Sequence, residues 1–148
     1  MIKNLLDLIL PSQKNSEEID SKKHIHICCL ALLIEVAKAD AEFSEIELKR
    51  IRAMAYERFS LPLSEDSFEL ARDVSKNSTS VFEFTSVINE HYSMDEKFLL
   101  IMSMWTVAYA DGQIDRYEEH LIRKVSDLIY LPHVRFIEAK HIAAAENQ

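Results

Sequence analysis

Apolar residues recur along this chain at the spacings of three and four that mark helix faces, and two stretches are apolar on nearly every side. Residues 22–39 contain the unbroken run from Ile27 to Ile34, and residues 94–110 hold Phe98 to Met102 and Trp105. Helices of this kind have to be surrounded by protein. They are therefore expected to pack against each other as the central pair of a bundle, with the remaining helices outside. A more amphipathic helix follows each, over residues 45–59 and 116–130. Its apolar positions are Ile46, Ile51, Met54 and Ala55 in one case, and Leu121, Ile122, Val125, Leu128 and Ile129 in the other. Both then reach a Leu-Pro step, Leu61-Pro62 and Leu131-Pro132, where proline lacks a donor and clashes with the backbone behind it. Further helices are predicted from Ser64 toward Lys76, from Ser80 over residues 81–90, and after Pro132, which suits a first helical turn. Residues 2–9, with Ile2, Leu5, Leu6 and Ile9 on one face, read as a short amphipathic helix, and a polar linker runs from there to about Asp20. The expected architecture is all-α: one domain over residues 23–148, seven or eight helices in all, preceded by an arm of helix and linker over residues 1–22.

A motif is written twice at matching places. Ala39-Asp40-Ala41-Glu42-Phe43-Ser44-Glu45-Ile46-Glu47 corresponds to Ala110-Asp111-Gly112-Gln113-Ile114-Asp115-Arg116-Tyr117-Glu118. The surroundings repeat as well, with Val36-Ala37 matched by Val107-Ala108, Ile51 by Ile122 and Arg52 by Arg123. The repetition predicts two related helix-loop-helix halves. Ser44/Glu47, Ser80/Glu83, Ser93/Glu96 and Asp115/Glu118 all have the spacing of a capping box, in which each side chain satisfies a backbone N–H at the other residue. Two of these lie outside the repeat, so a glutamate at that spacing is a general capping device here. The aspartates of the motif are the more informative residues.

Composition narrows the picture. The chain has 148 residues, 48% of them hydrophobic, with one glycine and three prolines, which leaves few breaks for hairpins and favours helices. Its net charge of −8 repels phosphate backbones and anionic lipid, so nucleic-acid binding is not expected and cations or basic proteins are the better partners. The apolar run that Glu35 closes is far short of the about 20 residues of a membrane span. Residues 1–10 carry Lys3 and Asp7 and end at Pro11, which does not fit a secretory leader. Cys28 and Cys29 are adjacent and give no disulfide framework. These features predict a cytoplasmic protein.

Asp40 and Asp111 fall at the carboxyl ends of long helices, where the negative end of the macrodipole disfavours them by roughly 0.3–1 kcal/mol. Two compensations are open. The carboxylate can accept N–H groups of the following turn, with Gly112 left-handed. Alternatively Asp40 with Glu47, and Asp111 with Glu118, offer hard oxygen ligands to calcium, magnesium or manganese, or to a lysine or arginine of a partner. The spacing is not that of an EF-hand, since the twelfth position from Asp111 is Ile122. His24 and Cys28 share a helix face as zinc ligands do, but no second pair accompanies them, and a satisfied or exposed histidine is expected. Both cysteines begin the most apolar run, which raises a thiol pKa and disfavours nucleophilic use. No phosphate-binding loop or nucleophile elbow occurs. Met94, Met102, Met104, Trp105 and Tyr109 read as core packing.

The doubled Ala-Asp-x-x-[Phe/Ile]-[Ser/Asp]-x-x-Glu pattern on an acidic, helical chain resembles the TerB-like family, named for tellurite-resistance protein B, over roughly residues 23–146. Ala110-Asp111-Gly112 through Glu118 has the family's usual form, whereas Ala41 replaces the glycine in the first copy, so the two turns are expected to differ. The resemblance implies about seven helices in two pseudo-symmetric halves. It further implies a bacterial protein of the cytoplasm or the inner membrane face, linked to tellurite and other chemical stress. Similar domains precede J-domains in membrane-linked co-chaperones, which implies an interaction role. The family's acidic positions, regarded as metal contacts, correspond to Asp40, Glu47, Asp111 and Glu118.

The expected function is non-enzymatic: binding of a divalent cation or a basic partner surface through the two acidic turns, within a stress-response or membrane-associated assembly. The alternative is an interaction module that docks its partner in an apolar groove between outer helices while the acidic turns only cap. Any membrane contact is expected to be weak, peripheral and made by the N-terminal helix.

Overall fold

The computed structural model describes residues 17–39, 45–59, 65–77, 80–110 and 114–146. Those residues form seven helices and no strand: α1 (Glu17–Ala39), α2 (Glu45–Phe59), α3 (Glu65–Asn77), α4 (Phe82–His91), α5 (Met94–Tyr109), α6 (Arg116–Leu128) and α7 (His133–Glu146). The short helix expected over residues 2–9 lies outside them. So do the Leu61-Pro62 step and the glycine of the second motif. α1 begins at Glu17, inside the stretch read as polar linker.

The apolar runs set the centre. From Ile27 to Ile34 every side chain of α1 is buried, and Val36 and Ala37 continue the burial; on α5 the residues from Leu100 to Trp105 and Ala108 are buried. At about 1.5–3 kcal/mol for each large apolar side chain removed from water, these two helices supply the largest block of the core. They pack against each other, yet each packs more extensively against the helix two further along the chain, α1 against α3 and α5 against α7. The reason lies in the facing side chains. Ala71, Val74 and Ser75 form a buried stripe on α3, and Phe136, Ala139 and Ala143 do so on α7. Small residues let the α7 backbone come close, and Trp105 of α5 fills the gap with its ring centroid 5.5 Å from that of Phe136.

Polar side chains fix the outer helices. Ser75 on α3 donates its hydroxyl to Glu35 Oε1 at 2.7 Å, and Lys38 Nζ reaches Ser75 Oγ at 3.2 Å. Asn89 on α4 donates to the Leu128 carbonyl at 2.9 Å, capping a carbonyl in the last turn of α6. Arg135 on α7 lies 4.0 Å from the centroid of the Phe98 ring and also meets Asp95 at 3.1 Å.

Helix ends agree with the sequence in some places and depart from it in others. Ser93 and Glu96 form the expected capping box at the start of α5. Ser80 and Glu83 do not form one. α4 starts at Phe82 with Val81 as its cap, so Ser80 stands one position too early, and its hydroxyl accepts the Phe82 N–H at 3.1 Å in a local turn. Met94 is not core, being the first residue of α5 and 43% exposed. α6 stops at Leu128, two residues before the expected end. There Tyr130 N–H reaches Asp127 O and Leu131 N–H reaches Ser126 O, both at 3.1 Å, with Tyr130 left-handed at φ 61. This is the Schellman closure, and its left-handed position usually holds glycine. Pro132 precedes α7 instead of entering its first turn, and its carbonyl accepts the N–H groups of Arg135 and Phe136.

Tyr130 is 74% exposed, so its side chain offers little packing to offset the left-handed backbone. Tyr130→Gly is expected to raise stability by about 0.5–1 kcal/mol, the steric cost of a Cβ there less the greater entropy of glycine in the unfolded chain. A higher urea midpoint at unchanged slope checks this.

Candidate functional site

The second copy of the motif joins α5 to α6. Ala110 is still right-handed helical, and its N–H reaches Val107 O at 3.2 Å. Residues 111–113 lie outside the described residues, and Ile114 then turns inward to pack against the core. Asp115 caps α6: its Oδ1 accepts the Tyr117 N–H at 2.7 Å, while Glu118 Oε1 accepts the Asp115 N–H at 2.9 Å. Glu118 is only 3% exposed. Its carboxyl group therefore sits under protein at the positive end of the α6 dipole, in the helix turn it caps. Of the four acidic residues singled out in the sequence, Glu118 is thus the one whose carboxylate the structure positions, and it positions it in the cap. Glu47 stands in the first turn of α2, and its side chain lies outside the described residues together with Asp40, Asp111 and the Ser44 cap. Among the described residues no three His, Cys, Asp or Glu side chains gather closely enough to hold a metal ion.

The two thiols and His24 form a separate buried region. Cys29 donates its thiol to Tyr92 Oη at 3.1 Å, and burial pushes the Cys29 pKa up to about 12. Burial also raises the Cys28 thiol and the Tyr92 phenol above their usual ranges, with Cys28 and Tyr92 each affected by the neighbouring Cys29. Neither sulfur is poised as a thiolate, and both are free thiols. His24 was expected to be satisfied or exposed; it is 2% exposed, and its Nε2 has no hydrogen-bond partner. Burial lowers its pKa below 6.5; His91 adds to the lowering and Glu90 opposes it. The local reason is position, since His24 begins the buried face that Ile27 and Cys28 continue.

A cleft of about 510 Å³ lies between α2 and α5. Its floor is Ile51, Met54 and Val107, and Arg50, Glu57 and Arg58 stand around it. Arg58 joins three helices. Its Nη1 donates to Ser103 Oγ and Thr106 Oγ1, both at 3.2 Å, and its Nη2 meets Glu146 Oε1 of α7 at 2.7 Å. The sequence reading missed this arginine. Its signal was the i, i+4, i+8 spacing of Arg50, Met54 and Arg58, which puts two cations and an apolar residue on one helix face.

No helix among the described residues is long and apolar enough to cross a membrane. Two measurements test the groups described above. Glu118→Ala removes a buried cap and is expected to destabilise by about 1–2 kcal/mol, whereas Glu118→Gln, which keeps an acceptor for the Asp115 N–H, should cost less than half of that in urea melts. For His24 the unfolded chain binds a proton near 6.5 that the fold resists. Stability is therefore full above that pH and falls as pH drops toward the lower folded value. His24→Leu is expected to flatten the fall in melting temperature between about pH 7 and pH 5.

Comparison with known proteins places these features. The family model described as tellurite resistance protein TerB matches residues 26–141, a span that contains both copies of the motif and all the helices from α2 to α6. No curated protein and no solved structure matches the chain at a significant level. With a match over most of its length, this all-helical chain belongs to the TerB family, whose domains are related to tellurite resistance.

Proposed function

We propose that this chain is a non-catalytic binding module of a stress-response assembly, working in the bacterial cytoplasm or at the inner membrane face. In this reading its two aspartate-bearing joints, Asp40 to Glu47 and Asp111 to Glu118, take a divalent cation such as calcium, magnesium or manganese, or a basic partner surface. The observation that carries the reading is the equivalence of the joints. Each follows a central buried helix, α1 or α5, and each of those helices packs on the helix two further along. This matched packing supports two pseudo-symmetric halves, and with them the view that an aspartate was kept twice at a helix end that disfavours it.

Roles within each pair differ in this reading. Glu118 orients the joint, because its Oε1 is bound to the Asp115 N–H and its side chain is buried. Asp111 is the residue offered to the ligand. By the repeat, Glu47 orients and Asp40 binds. Hard carboxylate oxygens suit calcium, magnesium and manganese, and the same charge suits a lysine or arginine.

A variant carrying Asp40→Asn and Asp111→Asn leaves the capping glutamates in place. Titration calorimetry with each of the three ions is expected to show binding to the parent chain that falls at least tenfold in this variant, at unchanged helicity by circular dichroism. If no ion binds the parent, a lysine-rich amphipathic peptide is the second probe, with the same loss expected. Equal binding of both probes by parent and variant sinks the proposal.

A further inference from the structure

We propose that the contact between α1 and α4 is an acid-operated latch: when His24 takes a proton, the amino-terminal half of α1 leaves α4 and uncovers Cys28 and Cys29, while the rest of the bundle stays folded. The latch does not depend on the aspartate joints or on what they bind.

His24 is hidden and incompletely satisfied. Its side chain is buried where α1 packs on the end of α4, and Nε2 is out of contact with water and without a hydrogen-bond partner. The neutral ring places one donor and one acceptor, whereas the imidazolium donates from both ring nitrogens. Protonation therefore puts a positive charge and an unanswered N–H into an enclosed place. The ring meets water only by moving out.

The charged neighbours strengthen this response. His91 and Glu90, at the end of α4, act on His24: the imidazole opposes its protonation and the carboxylate favours it. They lie 3.8 Å apart, with side chains 36% and 72% exposed. Glu83 of α4 and Glu96 of α5 act on Cys28 and Cys29 instead. Among the described residues no charged group of α2, α3, α5 or α6 acts on His24. Acid thus sets two imidazolium charges against each other across the α1–α4 seam, and the one carboxylate beside them is largely in solvent, where its attraction is screened.

The two halves of α1 are held unequally, which keeps the opening local. Glu35 and Lys38 bind Ser75 of α3, the helix that packs most extensively on α1. Glu35 lies about 16 Å along the helix from His24. At the α4 side the hydrogen bond is the Cys29 thiol to Tyr92 Oη at 3.1 Å, and a thiol is a weak donor. The weakly held part of a helix opens below the free energy of global unfolding. Cys28 and Cys29 are buried while the latch is closed, so their reactivity reads its position.

The test treats the full chain with a pyridyl disulfide, which forms a mixed disulfide with a thiol and releases thiopyridone in mild acid, between about pH 7 and pH 5. Labels are counted by mass, and rates are divided by those of a short cysteine peptide at each pH. Trp105, buried against Phe136, reports on the rest of the bundle by its fluorescence. The relative labelling rate is expected to rise at least about fivefold toward the acid end while Trp105 emission holds steady, and by less than about twofold in His24→Leu. His91→Asn, a change at an exposed position, should shrink the rise, and it serves as the readout if His24→Leu folds poorly. The proposal is overturned if labelling does not rise with acid, if it rises equally in His24→Leu, or if His91→Asn leaves the rise as large or larger. It is also overturned if Trp105 emission changes in step with labelling, since the event is then unfolding of the whole bundle.

Discussion

Burial of α1 and α5 on all sides is the constraint from which the rest of the structure follows. A helix with one apolar stripe needs one neighbour, but a helix apolar all round has to be enclosed, and two of them side by side need a shell. The five other helices are that shell. The extensive contacts of α1 with α3 and of α5 with α7 are the closest part of the enclosure, made possible by alanine and serine at the facing positions. Polar chemistry is consequently driven to helix ends and to the seams between shell helices.

Two of the seams are fastened by hydrogen-bonded polar groups instead of isolated charges. Ser75 stands between Glu35 and Lys38 at the α1–α3 seam, and Arg58 is shared among α2, α5 and α7. Buried polar atoms stabilise a fold only when their partners are supplied, and most here have them. His24 Nε2 and Trp105 Nε1 are exceptions, left without a hydrogen-bond partner. For Trp105 the ring's contacts with Phe136 and with the Lys140 ammonium, 5.1 Å from its centroid, favour the indole where it is. His24 has no such offset, and its burial is carried by the apolar face around it.

The same enclosure keeps the two thiols protonated. Cys28 and Cys29 lie where enclosure is tightest, and low polarity holds a thiol protonated. The charged groups able to meet another molecule are on the outside. Among the described residues Arg50 and Glu57 of α2 are exposed beside an apolar floor.

Much of this was legible in the sequence, for reasons that differ by element. The run from Ile27 to Ile34 and the apolar richness around Trp105 determined which helices would be central, because enclosure depends on composition alone. The boundaries of α2 were legible in full, and Ser93/Glu96 and Asp115/Glu118 formed their boxes, because capping is a local interaction between residues three apart. Local rules failed where a neighbour in space or one residue of register intervened. Ser80 fell one place short of the cap. α6 closed early, because a left-handed Tyr130 satisfied its last carbonyls and allowed Leu131 to bury. The burial of His24, the sharing of Arg58 and the cleft beside it were decided only by the tertiary structure. Each depends on how far apart two helices come to rest, and that distance is set by the volumes of side chains distant in sequence, which no pattern along one helix contains.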